Sequence, residues 1–165
     1  MGHLQYNKGM AIEIERKFLV TDDIYKSMAH HSDRIAQGYV CRQSGNSTRV
    51  RVRGEKGYLT IKGPSLDGGL SRFEWEKEIP VNEAWDLMKL CHGATIDKTR
   101  YLVDYKGHTF EVDEFYGDNE GLVVAEIELN DKEEDFELPP FIGKEVTGDS
   151  KYYNSSLTRF PYKCW

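Results

Sequence analysis

Long apolar runs are missing from this chain. No stretch approaches the length of a membrane-spanning helix, and the opening Met1-Gly-His-Leu-Gln-Tyr-Asn-Lys-Gly9 holds no apolar signal region. Cysteine is scarce. Cys41, Cys91 and Cys164 are odd in number, widely spaced and free of any C-x-x-C, which speaks against a disulfide framework and a cysteine zinc site and suggests a reducing cytoplasm. An excess of positive charge is absent too. The net charge of -6 argues against general nucleic-acid binding, although it leaves room for a local cationic cavity. No internal repeat or low-complexity linker divides the 165 residues, so one domain over residues 10–165 is expected. Residues 1–9 read as an extension ahead of Met10, a second candidate start. A hydrophobic fraction of 39% and a charged fraction of 30% fit a globular protein.

What the chain has in quantity is alternation. In Ala11–Val20, Glu13, Glu15 and Lys17 fall on one parity and Ile12 and Ile14 on the other. A strand sends successive side chains to opposite faces. The pattern recurs: Arg49 and Arg51 alternate with Val50 and Val52, and Glu74, Glu76 and Glu78 with Phe73 and Trp75. Lys98 pairs with Arg100, Glu111 with Asp113, and Glu126 with Glu128. One wet sheet face would explain any single strand of this kind. The recurrence asks for more. Two carboxylates two residues apart lie roughly 6.6 Å from each other and repel by about 2.5 kcal/mol at an effective dielectric of 20. A shared interior lined by both signs is reasonable if it holds a divalent cation and a polyanion together.

Further elements follow in order. Thr21-Asp22-Asp23 offers a cap for a short helix to Ala29. Adjacent His30 and His31 read as solvated. Ile35–Cys41 is a strand, and Thr48–Arg53 and Tyr58–Lys62 form a hairpin. Gly63–Gly69 is a flexible loop, and Ser71–Ile79 a strand. Asn82 is the expected cap of a helix whose stripe, Ala84, Leu87, Met88 and Cys91, covers the apolar outside of the sheet before Gly93 stops it. Ile96–Tyr105 and His108–Phe115 form a hairpin about Lys106-Gly107, Leu122–Leu129 is a strand, and Ser150–Leu157 a short helix or turn.

Glu13-Ile-Glu15-Arg-Lys17 resembles the ExExK signature of the CYTH superfamily, the triphosphate tunnel metalloenzymes. The ordered set is more specific than that string alone: Arg49-Val-Arg51, Thr60-Ile-Lys62-Gly63, Lys98-Thr-Arg100-Tyr101, Glu111-Val-Asp113, Ala125-Glu-Ile-Glu128, Val146-Thr147 and Lys151-Tyr-Tyr-Asn154. It extends from about Ala11 to Leu157 and is most similar to the short bacterial members. The resemblance implies an α+β, mainly β fold: a closed antiparallel eight-stranded barrel forming a polar tunnel, with helices packed outside. It implies metal-dependent hydrolysis of inorganic triphosphate to pyrophosphate and phosphate. Mg²⁺ or Mn²⁺ would be held by Glu13, Glu15, Glu126 and Glu128. The phosphate ligands would be Lys17, Arg49, Arg51, Lys62, Lys98, Arg100 and Lys151. Glu126, Glu128 and Lys17 are the catalytic candidates, with one of the two glutamates orienting water. Arg72, Glu74, Glu76, Glu78, Glu111 and Asp113 would complete the tunnel wall.

Rival readings on the same scaffold are a nucleoside or thiamine triphosphatase and a class IV-type adenylate cyclase. A non-catalytic polyphosphate-binding module would gain nothing from the carboxylates. An RNA-binding barrel would place aromatics on the basic face, whereas Phe73 and Trp75 alternate away from it. Exposed strand edges and an outward apolar surface would permit a homodimer.

Overall fold

The computed structural model describes residues 10–165, with side chains from residue 12 onward. The expected extension, residues 1–9, lies outside the described residues. The strands are β1 (Met10–Val20), β2 (His31–Gln43), β3 (Asn46–Arg53), β4 (Lys56–Lys62), β5 (Ser71–Ile79), β6 (His92–Tyr105), β7 (His108–Phe115), β8 (Val123–Leu129) and β9 (Ile142–Glu145). The helices are α1 (Tyr25–Met28), α2 (Val81–Met88) and α3 (Asn154–Leu157).

The first eight strands run in the order β5-β4-β3-β2-β6-β7-β8-β1, and β1 pairs with β5 to close the ring. Long β1 makes closure work: Met10–Ile14 face β5, while Ile14–Leu19 face β8. Short β9 continues the β5 side of β1, against Phe18 and Val20. A closed barrel has no long free edges. The exposed edges expected as a dimer surface are therefore replaced by paired strands, while outward Ile12, Ile61 and Phe73 do stay exposed.

Strands with a local signal at both ends match expectation. β5 is one. The β6–β7 turn is another, where Lys106 (φ 49°) and Gly107 (φ 84°) take the positive values a two-residue hairpin turn demands. β2 and β6 are longer than Ile35–Cys41 and Ile96–Tyr105 suggested, because their ends pair with each other, His31 with Leu102 and Tyr39 with His92. Gly93 belongs to β6 rather than to a helix stop: a Cβ there would lie 2.8 Å from the Thr158 carbonyl.

Two apolar layers lie outside the barrel. Ala84, Leu87, Met88 and Cys91 cover Val50 and Val52, as their spacing foretold. The N-cap position of α2 is Pro80 and not Asn82; the Pro80 carbonyl accepts from Ala84 N at 3.0 Å, and no side chain caps the helix. A Cβ on Gly57 would lie 2.6 Å from the Ala84 Cβ, so glycine is what lets α2 reach β4. On the opposite wall, Tyr25 of α1 and Phe141 cover Phe18, Val103, Phe110 and Ile127.

A third apolar cluster is inside. Register places Ile96, Phe115 and Val124 on the same face as Lys98, Asp113 and Glu126. They are buried with Leu122 and with Leu157 of α3. The interior is thus polar over most of its length, as expected, and filled by apolar side chains at the end where the C-terminal segment folds back.

Candidate active site

The polar part of the bore is a cavity of about 240 Å³, walled by seven carboxylates and seven cationic side chains. The expected residues that line it are Glu13, Glu15 and Lys17 from β1, Arg49 and Arg51 from β3, and Lys62 from β4. Arg72, Glu74 and Glu76 come from β5, Arg100 from β6, Glu111 from β7, and Glu126 and Glu128 from β8. One parity of each strand delivers them.

The acids concentrate on four adjacent strands, β7, β8, β1 and β5. Glu111 sits opposite Glu126, Glu126 opposite Lys17, and Glu128 opposite Glu15. Like charges directly across a ladder repel. Burial, Glu126 and Glu13 push the Glu15 carboxyl up to about 8. Partial burial, then Glu13, Glu74 and Glu111, push Glu128 up as well. Glu128 lines the cavity and is solvent-exposed. Glu126 behaves oppositely: burial opposes its charge, but Lys17, Arg100, Lys98 and Lys62 together hold it well below the usual carboxylate range. Its nearest cation is Lys17, Nζ to Oε1 at 3.3 Å. Burial also opposes the Lys17 charge, and Glu126 and Glu15 outweigh it and raise the ammonium above its ordinary value.

The cationic side is arranged differently. Arg51 is 9% exposed, and its Nε donates to the neutral Gln37 Oε1 at 3.0 Å. Among the described residues it has no carboxylate at ion-pair distance. Burial, Arg49 and Arg100 pull its guanidinium down to about 9, which still leaves it charged at neutral pH. Neighbouring Arg49 reaches Glu76 only at 3.4 Å, and its buried Nε has no hydrogen-bond partner. A buried cation without a counterion is costly. This part of the wall therefore carries positive charge that neighbouring carboxylates only partly offset.

Four expected residues stand apart from the cavity wall. Lys98, fully buried, donates to Asp113 at 2.6 Å and Asn154 at 3.2 Å. Asp113 in turn grips Arg100 through Nε at 2.7 Å and Nη2 at 2.8 Å. Lys98 and Asp113 thus act behind Arg100, and burial brings Lys98 down to about 7. Glu78 is exposed beside Lys56. Exposed Lys151 lies over the Trp165 ring, 4.0 Å from its centroid. Paired His30 and His31 are also clear of the cavity, against Asp104 and Asp33.

Several lining residues escaped the sequence reading. Tyr39, Ser47, Tyr153 and Ser155 line the cavity. Arg53, whose parity with Arg49 and Arg51 the sequence does show, also lines it while holding Asp33 at 2.5 Å. Gln37 and Tyr39 share the parity of Ile35 in β2, a usable signal that lacks charge to draw attention. Tyr153 and Asn154 stand inside the Lys151–Asn154 motif.

Among the described residues, no three His, Cys, Asp or Glu side chains converge as a metal site. Internal cations hold the acids instead: Lys62 Nζ lies 2.5 Å from Glu13 Oε2. The donor chemistry nonetheless fits a hard divalent cation, because Mg²⁺ and Mn²⁺ prefer oxygen ligands. A cation would relieve the carboxylate repulsion that, after burial, raises Glu15 and Glu128.

Comparison with known proteins agrees with this geometry. The CYTH domain family model matches residues 11–160. A protein of Acetivibrio thermocellus named inorganic triphosphatase is 52% identical over 155 residues, covering 93% of this chain and 97% of its own length. A Nitrosomonas europaea protein of the same name is 36% identical, over 88% of this chain and 95% of its own. The crystal structure of the inorganic triphosphatase NE1496 superposes with a TM-score of 0.62 at 31% identity, covering 88% of this chain and 93% of that one. With its closed eight-stranded barrel and charged bore, this chain belongs to the CYTH domain family.

Proposed function

We propose that this protein hydrolyses inorganic triphosphate to pyrophosphate and phosphate, with Mg²⁺ or Mn²⁺ as cofactor. The observation that carries the reading is the buried Arg51 guanidinium, with no carboxylate at ion-pair distance among the described residues and facing a cavity whose other wall is overloaded with them. One wall calls for an anion and the other for a cation. Relatives named inorganic triphosphatase, one 52% identical, support the choice of substrate.

Arg49, Arg51, Arg100, Lys17 and Lys62 are the phosphate grip. Arginine forks chelate phosphoryl oxygens, and the lysines add point charge. Glu13, Glu15 and Glu126 would hold the metal, with Glu128 close by. The metal, when bound, supplies charge neutralisation on phosphate oxygens. Phosphoryl transfer depends mainly on positioning and charge stabilisation. A water oxygen bonds to the terminal phosphorus as the bond from that phosphorus to the bridging oxygen breaks. Pyrophosphate departs and the water proton is released. Glu128, without an ion-pair partner among the described residues, is better suited than Glu126 to orient that water, since Lys17 already holds Glu126. Three free cysteines support a cytoplasmic setting.

The test is phosphate release from tripolyphosphate, ATP and thiamine triphosphate side by side, with Mg²⁺, Mn²⁺ or a chelator, and with products identified. Fastest turnover of tripolyphosphate, abolished by the chelator, is the expected result. Turnover confined to ATP, or a cyclic nucleotide product, would transfer the protein to one of the rival activities.

A further inference from the structure

Gln37 lies behind the cavity, fully buried in the middle of β2, and its amide touches two groups that line the wall. Its Oε1 accepts from Arg51 Nε at 3.0 Å, and its Nε2 lies 3.3 Å from the Tyr39 hydroxyl. The direction of both bonds follows from chemistry. A guanidinium only donates, so the amide oxygen must face Arg51 and the NH₂ must face Tyr39. Tyr39 Oη therefore accepts from Gln37, and its own hydrogen is left over. Tyr39 is 9% exposed and lines the cavity, and no other partner for its hydroxyl is present among the described residues. That hydrogen is available to an oxygen inside the bore.

The choice of an amide at this position matters. A carboxylate at 37 would accept from Arg51 equally well and add a charge-assisted bond. It would also neutralise the guanidinium, and it could not donate to Tyr39. Aspartates do back arginines elsewhere in this barrel, Asp113 behind Arg100 and Asp33 behind Arg53. Arg51 alone of the three is tethered by a neutral group.

Resting on the triphosphatase reading above, we infer that Gln37 is a positioning residue that keeps Arg51 charge-unbalanced and turns Tyr39 into a hydrogen-bond donor, so that both groups bind the same phosphoryl oxygens. Tyr39 becomes an additional substrate-binding residue. The arrangement trades stability of the empty barrel for affinity toward a polyanion.

The experiment compares wild type, Gln37→Glu, Gln37→Leu and Tyr39→Phe. It measures melting of the empty protein and steady-state kinetics on tripolyphosphate with Mg²⁺. Gln37→Glu is expected to melt at or above the wild-type temperature and yet to raise KM by about tenfold or more, as the loss of one unbalanced charge implies. Stability and affinity moving in opposite directions is a result that a merely structural role would not produce. Gln37→Leu leaves Arg51 Nε unsatisfied and is expected to lower both. Tyr39→Phe is expected to raise KM with little change in melting. A wild-type KM in Gln37→Glu, or a melting temperature falling as far as in Gln37→Leu, overturns the inference. An unchanged KM in Tyr39→Phe removes the donor role. If wild type itself fails to turn over tripolyphosphate, the functional reading falls first and this inference with it.

Discussion

Lys62 reaches over β5 to Glu13: its Nζ lies 2.5 Å from Glu13 Oε2, although the two residues sit on strands that do not pair with each other. Glu13 faces Arg72 and Lys62 faces Glu74, both on β5, so the contact runs across the inside of the wall. A candidate metal ligand and a candidate phosphate ligand thus neutralise each other. On the proposed function, binding of metal and substrate would exchange that pair for a cation at Glu13 and a phosphoryl oxygen at Lys62.

Removing Glu13 should therefore separate folding from function. Glu13→Ala is expected to melt close to wild type, because the pair is part-buried and Lys62 retains Glu74 at 3.9 Å. Phosphate release from tripolyphosphate should fall to near background. Full turnover in that variant would remove Glu13 from the metal site.

Arg51→Ala should lose kcat/KM by about a hundredfold or more, the scale of one or two charge-assisted bonds. Its stability should change little, since a buried, unbalanced charge leaves together with one bond to Gln37. Kinetics beside a melting curve reads both. A normal rate would show that the anion sits elsewhere.

The pH dependence of the metal-free protein should carry the mark of Glu15. Its folded-state value is raised from 4.5 to about 8, so the folded state binds the proton more tightly than the unfolded chain does. The stability it contributes is complete below about 4.5 and is lost as pH rises toward 8, with a slope approaching about 1.4 kcal/mol per pH unit between those values. Lys98, brought down to about 7, acts in the other sense: its penalty is greatest below 7 and fades as pH climbs toward 10.5. Comparing Glu15→Gln with wild type isolates the carboxylate. Melting from pH 5 to 8 with a chelator should fall less steeply in the variant, and Mg²⁺ or Mn²⁺ should stabilise wild type more at pH 8 than at pH 5. Parallel melting profiles for the two proteins would refute the assignment.

Lys151 supplies a control. The family motif proposed it as a phosphate ligand, whereas its ammonium lies on Trp165 and clear of the cavity. Lys151→Ala should keep near wild-type kinetics on tripolyphosphate and lose about 0.5–1 kcal/mol of stability with its cation–π contact. A marked rise in KM would put the side chain back in the site.

The strand alternation was legible because it is a local property: two-residue periodicity sends Glu13, Glu15 and Lys17 one way whatever the rest of the chain does. The stripe under α2 was legible for the same reason. Depth along the bore was not. Lys98 and Arg100 share a parity, yet one is sealed against Asn154 and the other lines the cavity. Parity names a face and is silent about position along it.

By itself, then, the amino-acid order determined which side of each strand is charged, how many strands there are to close a barrel, and the family motif. Tertiary structure alone decided which opposite charges meet. It set Gln37 rather than a carboxylate behind Arg51, seated Lys151 on Trp165, and packed Leu157 against Ile96 to fill one end of the bore. The reason is that such partners lie on strands far apart in the chain, brought together by the closure of β1 on β5 and the return of the C-terminal segment. Cross-strand register and burial choose them, and neither is encoded within any one strand.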